Sequence, residues 1–379
     1  MNRMEYDNAI RKQVFWLPAF CEEQLQVCFG PELKGLMSMA EIFDARKVIL
    51  TGCGASYAAA MAMAPVIEKY CDCFGVETMR MVEFTRFLSG ADIGIGEPNS
   101  PLVIVISERG DEARVCEALM KADRLGAFPI LLTGNPTAAA GKYAKRVYVT
   151  GTEAIRERAF GLCSYFGFLV GLIAFASRMG HVRGTLPPFG PAQFKEAIRS
   201  YVERFGERLE QIDRQIFELA WKWRDLTRFD LIGDDVEYGS AFFGAAKLLQ
   251  CAGCAVSVDD SEDWCHINYF IGCPEKVGTI VLADKNQPSF GRIRETVGSA
   301  VRIGRPVLVV TNADAGVFEA GAEVCTIPDA PEGFGWMLPL LDYIPAALLA
   351  GYLSAFGGSS RSIGGEEDRT DNSKIEIYI

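Results

Sequence analysis

The chain has 379 residues, 49% of them hydrophobic, which is enough for two domains with proper cores. Its formal net charge of −11 makes it a poor partner for nucleic acid or for an anionic membrane, so neither is expected. Twelve cysteines, set in apolar company at positions such as Cys28, Cys116, Cys163 and Cys325, read as reduced thiols of a cytoplasmic protein.

The opening stretch MNRMEYDNAIRKQ is amphipathic and lacks the apolar core of a signal peptide. The first strand pattern is Lys47–Gly52, KVILTG, followed by a small-residue helix over Ser56–Tyr70. The turn between them, TGCGASYAAA (51–60), has Gly52 and Gly54 where backbone can approach a ligand, and Ser56 where a hydroxyl can cap the helix or hold an oxyanion. Tyr57 stands where a dinucleotide fingerprint has its third glycine, so no nucleotide cofactor, and no cofactor of any other kind, is expected. Cys71–Cys73 and Cys251–Cys254 are close pairs, but no second pair completes a four-ligand zinc pattern, and no metal site is expected.

A strand near Glu77–Phe84 and a strand at Leu102–Ile106 come next. The segment SERGDE (107–112) lies between that strand and a helix over Glu112–Leu125. A helix start in this place favours an anion, yet the loop carries Glu108, Asp111 and Glu112 against Arg109 alone. The plain alternative is a helix cap, with Ser107 capping and acids in the first turn. Strands at Phe128–Thr133 and Arg146–Val149 follow. The densest apolar run, Phe166 to Ala176, is shorter than the roughly 18–20 residues of a membrane span and reads as a buried helix. His181 falls in a polar stretch and reads as solvated.

After the Pro/Gly-rich GTLPPFGP (184–191) and a charged helical stretch over Gln193–Arg228, the pattern restarts. Strands are expected at Asp230–Gly233, Ala255–Val258, Thr279–Ala283, Pro306–Thr311 and Glu323–Ile327. Helices are expected over Ala241–Ala252 and near Ile293–Ile303. RLGAFPILLTGN (124–135) echoes RIGRPVLVVTN (302–312), and LVIVIS (102–107) echoes TIVLAD (279–284). Short Val/Ile/Leu runs alternating with helices mean a parallel sheet buried on both faces, here in two copies. In SEDWCH (261–266), His266 follows Glu262 and Asp263 just past a strand end, a pattern suited to general acid/base work, with a surface loop as the plain alternative. Lys247 lies on a mostly apolar helix, YGSAFFGAAKLLQ (238–250), where snorkelling to solvent is the common outcome. Gly335–Phe356 reads as one long apolar helix, and the tail ends in the alternating SKIEIYI.

Together these residues resemble the SIS (sugar isomerase) family, in its two-SIS-domain form. That form includes the isomerase half of glucosamine-6-phosphate synthase and the fructosamine deglycases. Cys53-Gly54-Ala55-Ser56 is similar to the family's CGxS loop. Ser107 matches the first Ser of its S-x-S-x-x-T loop, with Arg109 and Glu112 in place of the second Ser and the Thr. Lys247 matches the Lys of the A-x-E-G-A-x-K-x-x-E helix, whose acids fall here on Phe243 and Gln250. Asp263-Trp264-Cys265-His266 looks like the E-x-x-H of the next loop, followed by Ile267-Asn268 in place of Gly-Pro. Lys374 is similar to a near-terminal Lys, and Glu153 to the Glu of the first domain's last-strand loop.

The resemblance implies an α/β chain of two tandem doubly wound parallel-sheet domains, SIS-type and flavodoxin-like. Its parts would be an N-terminal helix and first domain over 1–192, a linker helix over 193–228, a second domain over 229–357, and a tail over 358–379 packing near the site. It implies an enzyme, a deglycase or aldose–ketose isomerase, acting on an amino sugar or sugar–amine (Amadori-type) conjugate, phosphorylated or not. Catalysis would fall to His266, Glu262, Asp263 and Lys374, and binding to Gly54, Ser56, Ser107, Arg109, Glu153, Lys247 and Gln250. A homodimer is implied as well. The alternative, which Gln250 favours, is a regulatory SIS protein that binds a sugar phosphate without turnover.

Overall fold

Ten short runs become, among the described residues, ten parallel strands in two five-stranded sheets. The structure is a computed structural model and describes residues 3–72, 75–93, 101–151 and 161–357. These residues form two compact units. One holds 19–72, 75–93, 101–151 and 163–199; the other holds 3–18, 161–162 and 200–357.

In the first unit β1 (Lys47–Gly52), β2 (Gly75–Arg80), β3 (Leu102–Ser107), β4 (Phe128–Thr133) and β5 (Arg146–Val149) take the order β2-β1-β3-β4-β5. β3 and β4 are buried along their whole length, as continuous apolar strands covered on both faces must be. The longer helices of the first half are α1 (Ala9–Cys28), α2 (Ala55–Cys71), α3 (Ala113–Arg124), α4 (Leu162–Arg183) and α5 (Gly190–Lys222). Ile49, Val103, Val105 and Leu131 of the sheet pack on Val115, Leu119 and Ala122 of α3. At Gly171, α4 passes over Leu132, Tyr148 and Thr150.

The second unit repeats the plan. β6 (Arg228–Ile232), β7 (Ala255–Asp259), β8 (Val277–Ala283), β9 (Val307–Thr311) and β10 (Glu323–Thr326) take the order β7-β6-β8-β9-β10. Its own longer helices are α6 (Val236–Ala252), α7 (Phe290–Arg302) and α8 (Ile344–Gly357). Ile232, Val281 and Val309 pack on Ile293, Val297 and Ala300 of α7, with the indole of Trp264 in the same core. In each sheet the chain moves from the first strand to one neighbour and then to the other. The C-terminal ends of β1/β3 and of β6/β8 are therefore switch points, where ligands of such sheets bind.

Several boundaries differ from the sequence expectation. The strand near 77–84 ends at Arg80, because the next residues bond locally: Glu83 accepts from the Arg80 amide at 2.8 Å and the Thr85 hydroxyl donates to the Met81 carbonyl at 2.7 Å. The helix expected over 335–356 is broken into a 3-10 turn, Gly335–Leu340, and α8. α6 starts at Val236, five residues before the expected start. His181 belongs to the last turn of α4 and is half-buried. The apolar run 166–176 is the middle of this 22-residue helix. By length and composition α4 and the segment 335–357 could each cross a membrane, but they are 94% and 78% buried in the fold.

The first 18 residues group with the second sheet for an electrostatic reason. Asp213 of α5 is fully buried, takes Arg11 Nε of α1 at 2.9 Å and Arg3 at 3.1 Å, and accepts from the Tyr352 hydroxyl of α8 at 2.6 Å. Burial works against the Arg11 charge, but hydrogen bonds to Asp213 and Asp7 outweigh it and keep the guanidinium protonated. Around this cluster the ring of Tyr6 packs edge-on against Phe356 at 4.9 Å. Removing one partner of such a buried pair strands the other charge. Asp213→Ala should therefore lower the unfolding free energy by about 3–5 kcal/mol in urea titrations. A loss below about 1 kcal/mol, the worth of an exposed pair, would contradict the burial argument.

Candidate functional site

The turn from β1 into α2 has no spare room and one unusual dihedral. A Cβ on Gly52 would lie 2.7 Å from that of Ser56. Gly54 sits at φ 55°, ψ −121°, a conformation open to glycine. The helix thus starts abruptly and Ser56, 7% exposed, lies in its first turn.

The β3–α3 loop is closed on itself. The Ser107 hydroxyl accepts from the Gly110 amide at 2.9 Å and donates to Glu112 Oε2 at 2.7 Å. The other Glu112 oxygen takes Arg109 Nε at 3.3 Å, and Arg109 also pairs with Asp111 at 3.4 Å. Thr133 and Asn135 donate to the carbonyls of Glu108 and Arg109 and brace the loop from behind. Gly110 is at φ 63°, and a Cβ there would meet that of Ala138 at 2.6 Å. Glu112 is the N-cap residue of α3, yet its side chain does not cap the helix. Its charge also reaches the β1–α2 turn: burial and then Glu112 raise the Cys53 thiol.

The second sheet builds the matching turn with acids. Asp235 takes φ 50°, ψ −120°, the Gly54 conformation on a residue that bears a side chain. A Cβ on Gly233 would lie 2.5 Å from the Glu237 carbonyl oxygen. Asp234 accepts from both the amide and the hydroxyl of Ser261 at 2.8 Å, which ties the SEDWCH loop to this turn. Below that loop Trp264 is fully buried, donates from Nε1 to Asp230 at 3.1 Å, and carries the Arg305 guanidinium over its ring at 5.0 Å. Arg305 is paired with Asp230 and donates to the Asn268 carbonyl. Above it His266 Nε2 meets Glu262 Oε1 at 2.9 Å, and Glu262 Oε2 takes Arg292 at 2.6 Å. The hydrogen bond to His266, and then the Arg292 charge, hold Glu262 below the usual carboxylate value. An ionised carboxylate only accepts, so a neutral His266 ring carries its hydrogen on Nε2 and a free lone pair on Nδ1.

No family model matches the chain. Among curated proteins it is similar to the isomerizing glutamine–fructose-6-phosphate aminotransferase of Aquifex aeolicus, 25% identical over 346 residues, which cover 85% of this chain and 52% of that one. The protein of the same name from Bacteroides thetaiotaomicron is 23% identical over 372 residues, 93% of this chain and 56% of its own length. The chain spans about half the length of the curated relatives it matches. Among solved structures, the C-terminal domain of glucosamine-fructose-6-phosphate aminotransferase from Francisella tularensis superposes with a TM-score of 0.79 at 16% identity, over 94% of this chain and 98% of that one. The chain carries the tandem SIS (sugar isomerase) fold. Tagatose-6-phosphate ketose/aldose isomerase from Escherichia coli has it too, with a TM-score of 0.75 at 13% identity over 98% and 96% of the two chains.

On this SIS frame the expected residues fall into groups. Gly54 and Ser56 line one loop of the first switch point, and Ser107 and Arg109 the other. Arg109 meets Glu112 and Asp111 through Nε alone, at 3.3 and 3.4 Å, with half of its side chain exposed. In the second unit Glu262 and His266 pair on the surface, with side chains 59% and 68% exposed, and Asp263 beside them is exposed too, its amide held by Asp260 at 2.8 Å. Lys247 does not snorkel. It is 1% exposed, donates to Gln250 Oε1 at 2.7 Å and lies over the Phe243 ring at 4.6 Å. Its partner Gln250 is exposed. Glu153, Lys374 and the tail over 358–379 lie outside the described residues.

Sequence reasoning missed a set of acids at the second SIS switch point. Glu237, in the first turn of α6, and Asp284, just past β8, are 2% and 4% exposed; Asp342, in the break before α8, is 2% exposed. Gln287 donates to Glu237 at 3.1 Å, and the other Glu237 oxygen has no hydrogen-bond partner among the described residues. Asn312 donates to Asp284 at 2.7 Å. Burial, then the charges of Asp342 and Asp284, push Glu237 well above the usual carboxylate range. Burial pushes Asp342 up to about 7, against the pull of Ser240 and the Tyr343 amide. Such groups can keep a proton near neutrality and act as acids. Aligning Gly233 with Gly52 puts Glu237 on Ser56 and would have found it. Among the described residues no group of three or more His, Cys, Asp or Glu side chains is placed to hold a metal ion.

The Asp342 carboxyl makes a signed prediction. An unfolded Asp titrates near about 3.9, and this one does so at about 7 in the fold. Between those values the folded state holds the extra proton, so the stabilisation is full below about pH 4 and is lost as pH rises through about 7. Asp342→Asn removes that loss. Near pH 8 it should be more stable than the unsubstituted chain by about 1.4 kcal/mol for each pH unit between the two values, and near pH 4 about equal. Urea titrations at both pH values check this, and parallel stabilities for the two proteins would refute it.

Proposed function

We propose that the chain is an enzyme of the sugar isomerase or deglycase class, acting on an amino sugar or a sugar–amine conjugate by proton transfer at His266. The observation that carries this reading is the His266–Glu262 pair, 2.9 Å apart, past the C-terminal end of β7 in a tandem SIS fold. The relatives similar in sequence are isomerizing aminotransferases of a sugar phosphate, and similar structures include a ketose/aldose isomerase.

Each residue then has a role. Glu262 fixes the ring and its tautomer, leaving Nδ1 to take a proton from the substrate and return it. In isomerisation a proton leaves the carbon beside the carbonyl, an enediol forms, and a proton returns to the neighbouring carbon. In deglycation the same kind of proton shift first converts the ketoamine, through an enaminol, into a C=N bond; water then adds to its carbon, and the amine leaves with a proton that the acid supplies. Lys247, held by Gln250, offers an ammonium to substrate oxygens, and Lys374 and Glu153 are assigned to the same reaction. Ser56 and Ser107 bind the sugar derivative, and the active form is a homodimer.

The second reading is a regulatory protein that binds without turnover. It is favoured by Gln250, an amide whose oxygen is already taken by Lys247. The two readings separate on one variant. His266→Ala should reduce turnover of a fructosamine-type substrate by about 10²–10⁴-fold while leaving its binding, measured by calorimetry, within a few fold. Binding without turnover in both proteins would support the regulatory reading instead. Light scattering on the eluting protein should give twice the chain mass of 41.5 kDa, and a pure monomer would refute the dimer.

A further inference from the structure

The SERGDE loop has the geometry of an anion site and is filled by an anion of its own. It leaves β3 at a switch point and opens the 12-residue helix α3, so the helix dipole favours negative charge there. One carboxylate meets both side chains that could hold an anion: Ser107 Oγ donates to Glu112 at 2.7 Å, and Arg109 donates through Nε at 3.3 Å. The arrangement is fixed from beneath. Ser107 is 5% exposed and locked by the Gly110 amide, and Thr133 and Asn135 hold the loop backbone. Glu112 itself is partly open, with 27% of its side chain exposed. Glu108 and Asp111 add two more acids against Arg109, a formal charge of −2 across residues 107–112 (three acids less one base).

We infer that Glu112 sets the specificity of this loop: it excludes a phosphate and presents an acceptor to a ligand end rich in hydrogen-bond donors, the hydroxyls or ammonium of an unphosphorylated sugar derivative. A phosphate brought here would have to displace a carboxylate from its donors or lie against it. A hydroxyl or ammonium donates to that same carboxylate, and such charge-assisted bonds are the strong ones. The inference rests on the Proposed function for the sugar, but its central claim concerns only which charge the loop tolerates.

The test uses the full chain and three probes: inorganic phosphate, glucosamine 6-phosphate and glucosamine. Affinities are measured by calorimetry and by thermal shift, since a ligand stabilises the state it binds. Unsubstituted protein should bind glucosamine more tightly than either phosphate probe. Glu112→Thr, which releases Ser107 and leaves Arg109 with Asp111 alone, should bind inorganic phosphate at least about tenfold more tightly than the unsubstituted protein. Glu112→Gln, which keeps the shape and removes the charge, should move the same way, and it decides the matter if the Thr variant folds poorly. Phosphate affinity equal in all three proteins, or highest in the unsubstituted one, overturns the inference. So does tighter binding of glucosamine 6-phosphate than of glucosamine by the unsubstituted protein. Loss of turnover plays no part in these readouts, so a failed enzyme reading with a positive Glu112→Thr result would leave this inference standing.

Discussion

Both switch points depend on one backbone constraint. The first strand of each sheet must become a helix within three residues, and only a positive φ at the third residue allows it. Gly54 adopts that conformation freely; Asp235 adopts it at a cost on the order of 1–3 kcal/mol. The tightness of the turn forces the residue two positions later, Ser56 or Glu237, over the end of the sheet. Everything that approaches these sheet edges does so around those turns. The SEDWCH loop is tied to the second of them through Asp234 and Ser261.

On that shared scaffold the two copies differ in what they bury. The first has a hydroxyl, Ser56, and a loop in which Glu112 pairs with Arg109. The second has carboxyls, Glu237, Asp284 and Asp342, and besides burial the charges of Asp342 and Asp284 disfavour that of Glu237. Duplication thus preserved the path of the chain more closely than its chemistry. Function in such a fold resides in the side chains at the strand ends and not in the sheet itself.

The architecture was legible because its signals are local. A continuous run such as LVIVIS has one good fate in water, a strand covered on both faces, and the repeated RLGAFPILLTGN and RIGRPVLVVTN exposed the duplication. The His266–Glu262 pair was legible too, since residues four apart share a helical face. Other features were hidden for physical reasons. Asp342 lies in an apolar stretch that reads as one helix, and the break that buries it is set by tertiary packing. The arm up to Pro18 groups by partners about two hundred residues away, Asp213 among them, which no window of sequence reveals. Lys247 looked free to reach solvent because its burial depends on how its helix packs, although Gln250 and the Phe243 ring lie one turn away on either side.

The burial of α4 bears on how the chain is made. This helix of 22 residues is apolar enough to enter a lipid bilayer, and in the fold it lies over Leu132, Tyr148 and Thr150 at the β4–β5 end of the first sheet. All five strands of that sheet precede it in sequence. During synthesis they leave the ribosome first, so a docking surface can exist before the helix emerges. A circular permutant that began the chain at α4 would present the same helix with nothing to cover it. Such a rearranged protein, unchanged in composition, would be prone to capture by membrane-insertion machinery or to aggregation.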